Sequence, residues 1–159
     1  MQTIVLARID DRLIHGQVMT AWVQYTGANE IVIVDDAVAK DDFLKMVITG
    51  AVPNNLKAIV LSVQDAAVYL RDEEGKKVIV LAKGPAVYDQ LLAEGVEIPA
   101  INLGGMGSNK DRSQLYKNIS CSDDERAVFR KLIEQVEVFV QVVPNTEKVS
   151  LGKVLKGEG

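Results

Sequence analysis

The sequence predicts an α/β protein: one doubly wound domain over 1–159, with a mainly parallel sheet and helices on both faces. Six strands are expected, with room for a seventh, on three observations. Short runs rich in Val and Ile alternate with longer segments of helical period, which is the pattern of βαβ units. The runs Ile31-Val32-Ile33-Val34 and Val78-Ile79-Val80-Leu81 lack polar alternation, as strands do when both their faces are covered. The chain's 159 residues show no repeat, linker or low-complexity segment, and that length suits one domain with its own core.

Strands are expected at about 2–8, 31–35, 57–61, 77–82, 99–103 and 137–143, with a short extra strand near Lys117–Cys121. A first helix opens at His15 and runs to about Tyr25; Gly27 lies just past its end, where a left-handed residue is easy for glycine. A second is expected over Ala39–Ile48, with Pro53 a few residues beyond. Ser62 can cap a third running to about Asp72. Gly84-Pro85 starts a fourth, with proline in its first turn. Ser122 and Glu125 have the capping-box spacing and open a helix at about 123–135. The tail from Ser150 to Leu155 reads as a short closing helix. In such sheets ligands bind beyond the carboxyl ends of the strands. The loops Ile9–Ile14, Asp35–Ala37 and Gly104–Lys110 should therefore share one edge.

Composition narrows the function. Apolar residues make up 48% and charged residues 25%, an ordinary globular balance. Eighteen basic and 22 acidic side chains give a formal charge of −4, so nucleic acid and anionic lipid are poor partners. The single cysteine, Cys121, cannot form an internal disulfide, which points to a reducing, cytoplasmic setting. The start, Met1-Gln2-Thr3-Ile4-Val5, has no basic stretch and no small-residue cleavage site, so no signal peptide is expected. No apolar run approaches the roughly 18 residues of a membrane span. If the protein serves a membrane transporter, it does so from the soluble side.

The chemistry concentrates in Arg8-Ile9-Asp10-Asp11-Arg12-Leu13-Ile14-His15-Gly16-Gln17. The chain's only histidine stands here, after a buried strand and at the opening of a helix. A histidine in this setting is often a capping or half-buried structural residue, and Arg and Asp near a strand end are often a solvated loop. The functional reading has a definite physical basis. A neutral imidazole is a nucleophile toward phosphorus. The first helical amides, those of Gly16 and Gln17, would face the resulting anion, and glycine allows close approach. Arg8 and Arg12 could offer planar forks to the phosphoryl oxygens. Asp10 could orient an arginine or fix the imidazole tautomer. Phosphoryl transfer asks little of a protein beyond in-line placement and charge stabilisation.

The string Arg8 to Val18 resembles the N-terminal signature of the mannose/fructose/sorbose-type IIB components of the sugar phosphotransferase system. Val34-Asp35-Asp36-Ala37-Val38-Ala39-Lys40-Asp41, Ile101-Asn102-Leu103-Gly104-Gly105-Met106 and Val138-Phe139-Val140-Gln141-Val142-Val143-Pro144 resemble that family's later blocks, in its order. The resemblance implies a protein-phosphohistidine–sugar phosphotransferase that needs no cofactor or metal. His15 would be phosphorylated by a phosphohistidine of a separate IIA component. The group would then pass to a sugar carried by the membrane components IIC and IID, without insertion of this chain in the bilayer. Arg8, Asp10 and Arg12 match the signature and would stabilise and position the phosphoryl group. Ser62 matches a hydroxyl position that can contact it. The family's sugars include mannose, fructose, sorbose, and N-acetylgalactosamine or galactosamine. The tail leans toward amino-sugar members. A homo-oligomer is compatible with the sequence. Gln135 stands where the family usually has a helix-ending glycine.

Two rival readings use other residues. Asp35-Asp36, with Lys83 after another strand, resembles the acidic pair of phospho-accepting receiver domains, although a receiver places that pair after its first strand. The plainer account is a helix cap and a polar loop. A noncatalytic phosphate-ligand module is the other rival; Gly104-Gly105-Met106-Gly107 suggests a phosphate-cradling turn but fits neither nucleotide-binding glycine motif, and reads better as a mobile loop near the His15 edge. Cys121 has no catalytic pattern around it and reads as a buried thiol. One His and one Cys make a zinc site unpromising. Val18, Met19 and Trp22 have the spacing of core packing on the first helix.

Overall fold

The computed structural model describes residues 1–53, 56–72 and 75–158. From the start of the chain, β1 (Thr3–Asp10), α1 (Gly16–Thr26), β2 (Glu30–Val34), α2 (Asp36–Ala39), α3 (Asp42–Gly50) and β3 (Lys57–Leu61) come first. They are followed by α4 (Val63–Arg71), β4 (Lys77–Ala82), α5 (Pro85–Ala93) and β5 (Ala100–Gly105). The remainder comprises β6 (Ser113–Tyr116), β7 (Ile119–Cys121), α6 (Asp123–Leu132), β8 (Glu137–Val140), β9 (Val149–Ser150) and α7 (Leu151–Glu158).

Seven strands form one sheet in the order β3-β2-β4-β1-β5-β8-β9. All neighbours are parallel except β9, which runs antiparallel to β8. All of β2 and nearly all of β4 are buried, so the apolar runs in the sequence are strands covered on both faces. One face packs Val63, Leu70, Tyr88, Leu91, Phe129 and Leu132 from α4, α5 and α6. The other packs Val18, Met19 and Trp22 of α1 with Val38 of α2. The chain therefore leaves β1 toward one face, through α1, and leaves β5 toward the opposite face, through α6. That divergence between adjacent strands is the switch point at which α/β sheets open a crevice.

Local chemistry explains where elements stop. Gly27, at φ 69, closes α1 with its N–H on the Val23 carbonyl. Ser62 Oγ caps α4 through the Asp65 N–H, and the Ser122–Glu125 capping box opens α6. The single helix expected at 39–48 is instead two. Asp35 caps α2 through the Val38 N–H, and Asp41 caps α3 through the Leu44 N–H, so two aspartate caps, six residues apart, cut the segment. Other boundaries shift too. The helix expected to reach 135 ends at Leu132, and the strand expected to reach 143 ends at Val140. β6, unforeseen in the sequence, pairs with β7 in a hairpin whose turn holds Lys117 at φ 46. β9 is likewise unforeseen; it has only two residues.

Candidate functional site

His15 occupies the N-cap of α1, at the carboxyl edge of the central strand β1. Its backbone is extended, its carbonyl accepts from the Met19 N–H at 2.9 Å, and its side chain does not cap the helix. His15, Gly16 and Gln17 are all exposed. The first-turn amides have no intrahelical acceptor, as at any helix start. A β-carbon on Gly16 would meet nothing within 4 Å, so the space above this turn is open. A shallow groove lined by Gly16, Gln17, Thr20 and Ala21 of α1 and by Ala51 to Pro53 runs beside it.

The loop that carries His15 is tightly built. The Leu13 N–H donates to the Asp10 carbonyl at 2.9 Å, closing a turn. Leu13 holds φ 59 although it is not glycine, and its side chain is buried beside Trp22. A left-handed leucine costs about 1–3 kcal/mol and persists only where its surroundings over-determine it. Here the buried side chain and the turn hydrogen bond supply that constraint.

Below the loop lies a relay of charge. Asp10 is 1% exposed and accepts from the Arg12 backbone N–H, Nε and Nη2 at 3.1, 3.0 and 2.9 Å. It also accepts from Arg8 Nη2 at 3.2 Å. Burial works to raise the Asp10 carboxyl. The hydrogen bonds from Arg12 and the charges of both arginines outweigh it and hold the group below the usual aspartate range. The hydrogen bond to Asp10 in turn raises Arg12 above its ordinary value. Arg12 keeps 46% of its side chain in solvent.

Arg8 does not stand where a fork for phosphoryl oxygens would need it. Its side chain is fully buried. Nη1 donates to Asn102 Oδ1 at 2.6 Å and to the Gln141 carbonyl at 3.2 Å, and the guanidinium lies over the Trp22 ring at 5.7 Å. Asn102 Nδ2 also donates to the Gln141 carbonyl, at 3.0 Å. Burial pulls the Arg8 pKa down, and the charge of Asp10 only partly offsets it. The buried cation and Arg12 thus grip one carboxylate from two sides. Asp10 is hydrogen-bonded to both arginines.

Asn102 and Gln141 hold Arg8 and were given no role in the sequence. Asn102 offered a signal: a polar residue inside an apolar strand. Gln141 offered none beyond its place in a motif block. Asp11 and Arg112 were missed as well. The Asp11 N–H donates to the Gly105 carbonyl at 3.1 Å, so the loops after β1 and β5 do share an edge. Arg112 has no sequence neighbour that points to Asp11.

Ser62 stands apart. It ends the edge strand β3, three strand positions from β1, which is about 14 Å at a spacing of about 4.8 Å. Its Oγ accepts from the Asp65 N–H at 3.1 Å. Asp35 and Asp36 also have structural work. Asp35 caps α2 and faces Lys83 at 3.7 Å, and Asp36 accepts from the Val63 N–H at 2.8 Å. Cys121 is buried, and Trp22 is a core residue whose Nε1 donates to the Val142 carbonyl at 3.0 Å.

The chain resembles known proteins along almost its whole length. Residues 4–159 match the family described as the PTS system sorbose subfamily IIB component. The fructose-specific EIIB component of Bacillus subtilis is 33% identical over 98% of both chains. The mannose-specific EIIAB component of Escherichia coli K12 is 33% identical over 93% of this chain and 47% of that protein. The crystal structure of the IIBSor domain of the sorbose permease from Klebsiella pneumoniae superposes with a TM-score of 0.94 at 31% identity, covering 99% of this chain and 98% of that one. An exposed histidine at a helix start, at the switch point of a parallel sheet, is thus found in a chain that belongs to the sorbose subfamily of IIB components of the sugar phosphotransferase system.

Proposed function

We propose that His15 is the phosphoryl-carrying residue of this sugar phosphotransferase component. The observation that carries the reading is the placement of His15. It is exposed at the N-cap of α1, three residues along the chain from an Arg12 that Asp10 holds by three hydrogen bonds. An imidazole nitrogen of His15 attacks the phosphorus of a phosphohistidine on a IIA component; a new P–N bond forms as the donor's P–N bond breaks. In the second half-reaction a sugar hydroxyl attacks the same phosphorus. A P–O bond forms, the P–N bond to His15 breaks, and the imidazole returns to its starting state.

The roles divide by burial. Arg12 supplies positive charge to the transferring group, and the amides of Gly16 and Gln17 add the field of a helix start. Asp10 positions Arg12, and Arg8 positions Asp10 from the interior. Ser62 is left out of the step, because its hydroxyl caps α4 at the far edge of the sheet. The second partners are the membrane components IIC and IID, met from the cytoplasm; no helix among the described residues is long and apolar enough to cross a membrane. The sugar is one of the hexose or amino-sugar class, with the choice made in the membrane components. The relatives' names already span fructose, mannose and sorbose.

The test is phosphorylation of the purified chain by a phosphorylated IIA protein, with His15→Ala alongside. The label is expected on the wild type, alkali-stable and acid-labile, and absent from a folded His15→Ala. Hydroxylamine-sensitive label that survives in His15→Ala would move the chemistry to an aspartate and end this reading.

A further inference from the structure

The loop bearing His15 bonds directly to the loop after β5, and one residue that the proposed transfer step does not use ties that junction to α6. Arg112 is the residue, and its side chain is 14% exposed. Its Nη1 donates to Asp11 Oδ2 at 3.1 Å and to the Gly107 carbonyl at 2.9 Å. The Gly107 N–H donates to the same Asp11 oxygen at 2.7 Å. On its other side Arg112 makes a bidentate pair with Glu125, Nε to Oε1 at 2.9 Å and Nη2 to Oε2 at 2.8 Å. Glu125 is itself fixed, because Oε1 also accepts from the Ser122 N–H in the capping box of α6.

This is a chain of short contacts from the start of α6 to the loop that carries His15. Bidentate pairing fixes the plane of the guanidinium as well as its position. The orientation set by Glu125 is therefore passed to Asp11, one residue from the Asp10 carboxylate that holds Arg12. Arg112 also neutralises Asp11, a carboxylate that would otherwise repel a phosphoryl dianion arriving at the neighbouring turn. Among the described residues Asp11 has no other cation within ion-pair distance.

We propose that Arg112 is a positioning residue for phosphoryl transfer at His15, clamping Asp11 to Glu125 so that the loop between β1 and α1 keeps its transfer-ready shape. The inference rests on the reading of His15 as the phosphoryl carrier. It predicts that loosening the clamp slows the transfer step more than it weakens docking of the donor. A displacement of about 1 Å in a reacting group can cost on the order of a hundredfold in rate.

The experiment compares the wild type with Arg112→Ala, Arg112→Lys and Asp11→Ala. Each is phosphorylated by phosphoramidate, a small donor that needs no docking, and by a phosphorylated IIA protein over a range of concentrations. Arg112→Ala should lower kcat about tenfold or more with both donors and leave KM for the protein donor within about twofold. Arg112→Lys should recover part of the loss. Asp11→Ala should slow transfer in the same direction, and the Asp11→Ala, Arg112→Ala double variant should be little slower than Arg112→Ala alone, because both changes break one contact. Wild-type kcat in Arg112→Ala overturns the inference, as does a loss confined to KM. If Arg112→Ala does not fold, Asp11→Ala decides, since it spares the pair with Glu125; unchanged transfer there overturns it too. Failure of the wild type itself to take label on His15 would instead sink the carrier reading.

Discussion

The guanidinium carbon of Arg8 lies 2.1 Å from the point where a β-carbon on Gly104 would stand. Glycine at 104 is therefore a packing requirement of a buried cation. Because the guanidinium is held by Asn102, Gln141 and Asp10, it has nowhere to retreat. Gly104→Ala should lower stability by about 1–3 kcal/mol through overpacking and displace Arg8. Chemical denaturation measures the first effect. Wild-type stability would mean that the guanidinium moves freely.

Removing Arg8 should cost more. Arg8→Ala leaves Asn102 Oδ1 without its donor and Asp10 with a single arginine. Breaking a buried ion pair from one side typically costs about 3–5 kcal/mol. Denaturant midpoints should fall accordingly, and phosphoryl transfer should slow in whatever fraction stays folded.

Arg12→Ala separates stability from chemistry. Half of this side chain is already in solvent, so the fold should persist with a small change in thermal midpoint. Loss of one charge-stabilising donor typically slows chemistry on the order of a hundredfold, and rapid-quench phosphorylation of His15 should show a drop of that order. An unchanged rate would remove Arg12 from the step.

Acid should unfold the protein partly through Asp10 and Glu125. Both carboxyls are held below their ordinary range: burial works to raise each, and arginine hydrogen bonds and charges outweigh it. A carboxylate depressed in the folded state contributes stability that is fully present above its unfolded pKa, about 4. That contribution is lost as pH falls below about 4 toward the depressed folded values. Thermal midpoints followed from pH 6 downward should drop in this window, and Asp10→Asn, although less stable at neutral pH, should show a shallower acid limb. An acid limb as steep as that of the wild type would show that Asp10 does not titrate differently in the two states.

Much of the fold was legible because it rests on local patterns. The apolar runs at 31–34 and 78–81 could only be covered strands, and the Ser122–Glu125 spacing marked a helix start. The break between α2 and α3 was harder to see, since Asp41 reads as one more polar residue until its carboxylate is found on the Leu44 N–H. β6 and β9 were hidden because each is short, four and two residues, and neither carries an apolar run like those of the central strands. At the site, His15, Asp10 and Arg12 were readable from one contiguous string. Arg8 was readable as important, but its place was not. Whether an arginine faces solvent or the interior depends on Asn102 and Gln141, whose positions beside β1 come from tertiary structure. Arg112 meets Asp11 across a hundred residues of chain, and no local pattern records that meeting.

Because β1 is flanked by β4 and β5, Arg8 and Asp10 ride on a strand that cannot detach without global unfolding, whereas Gly16 and Gln17 begin a helix whose first amides face water. Deuterium uptake should consequently change steeply over a few residues. The amide of Ile9 should be among the last in the molecule to exchange, and those of Gly16 and Gln17 among the first. The exposed turn at His15 is thus set on the strand expected to exchange most slowly, which also carries Arg8 and Asp10.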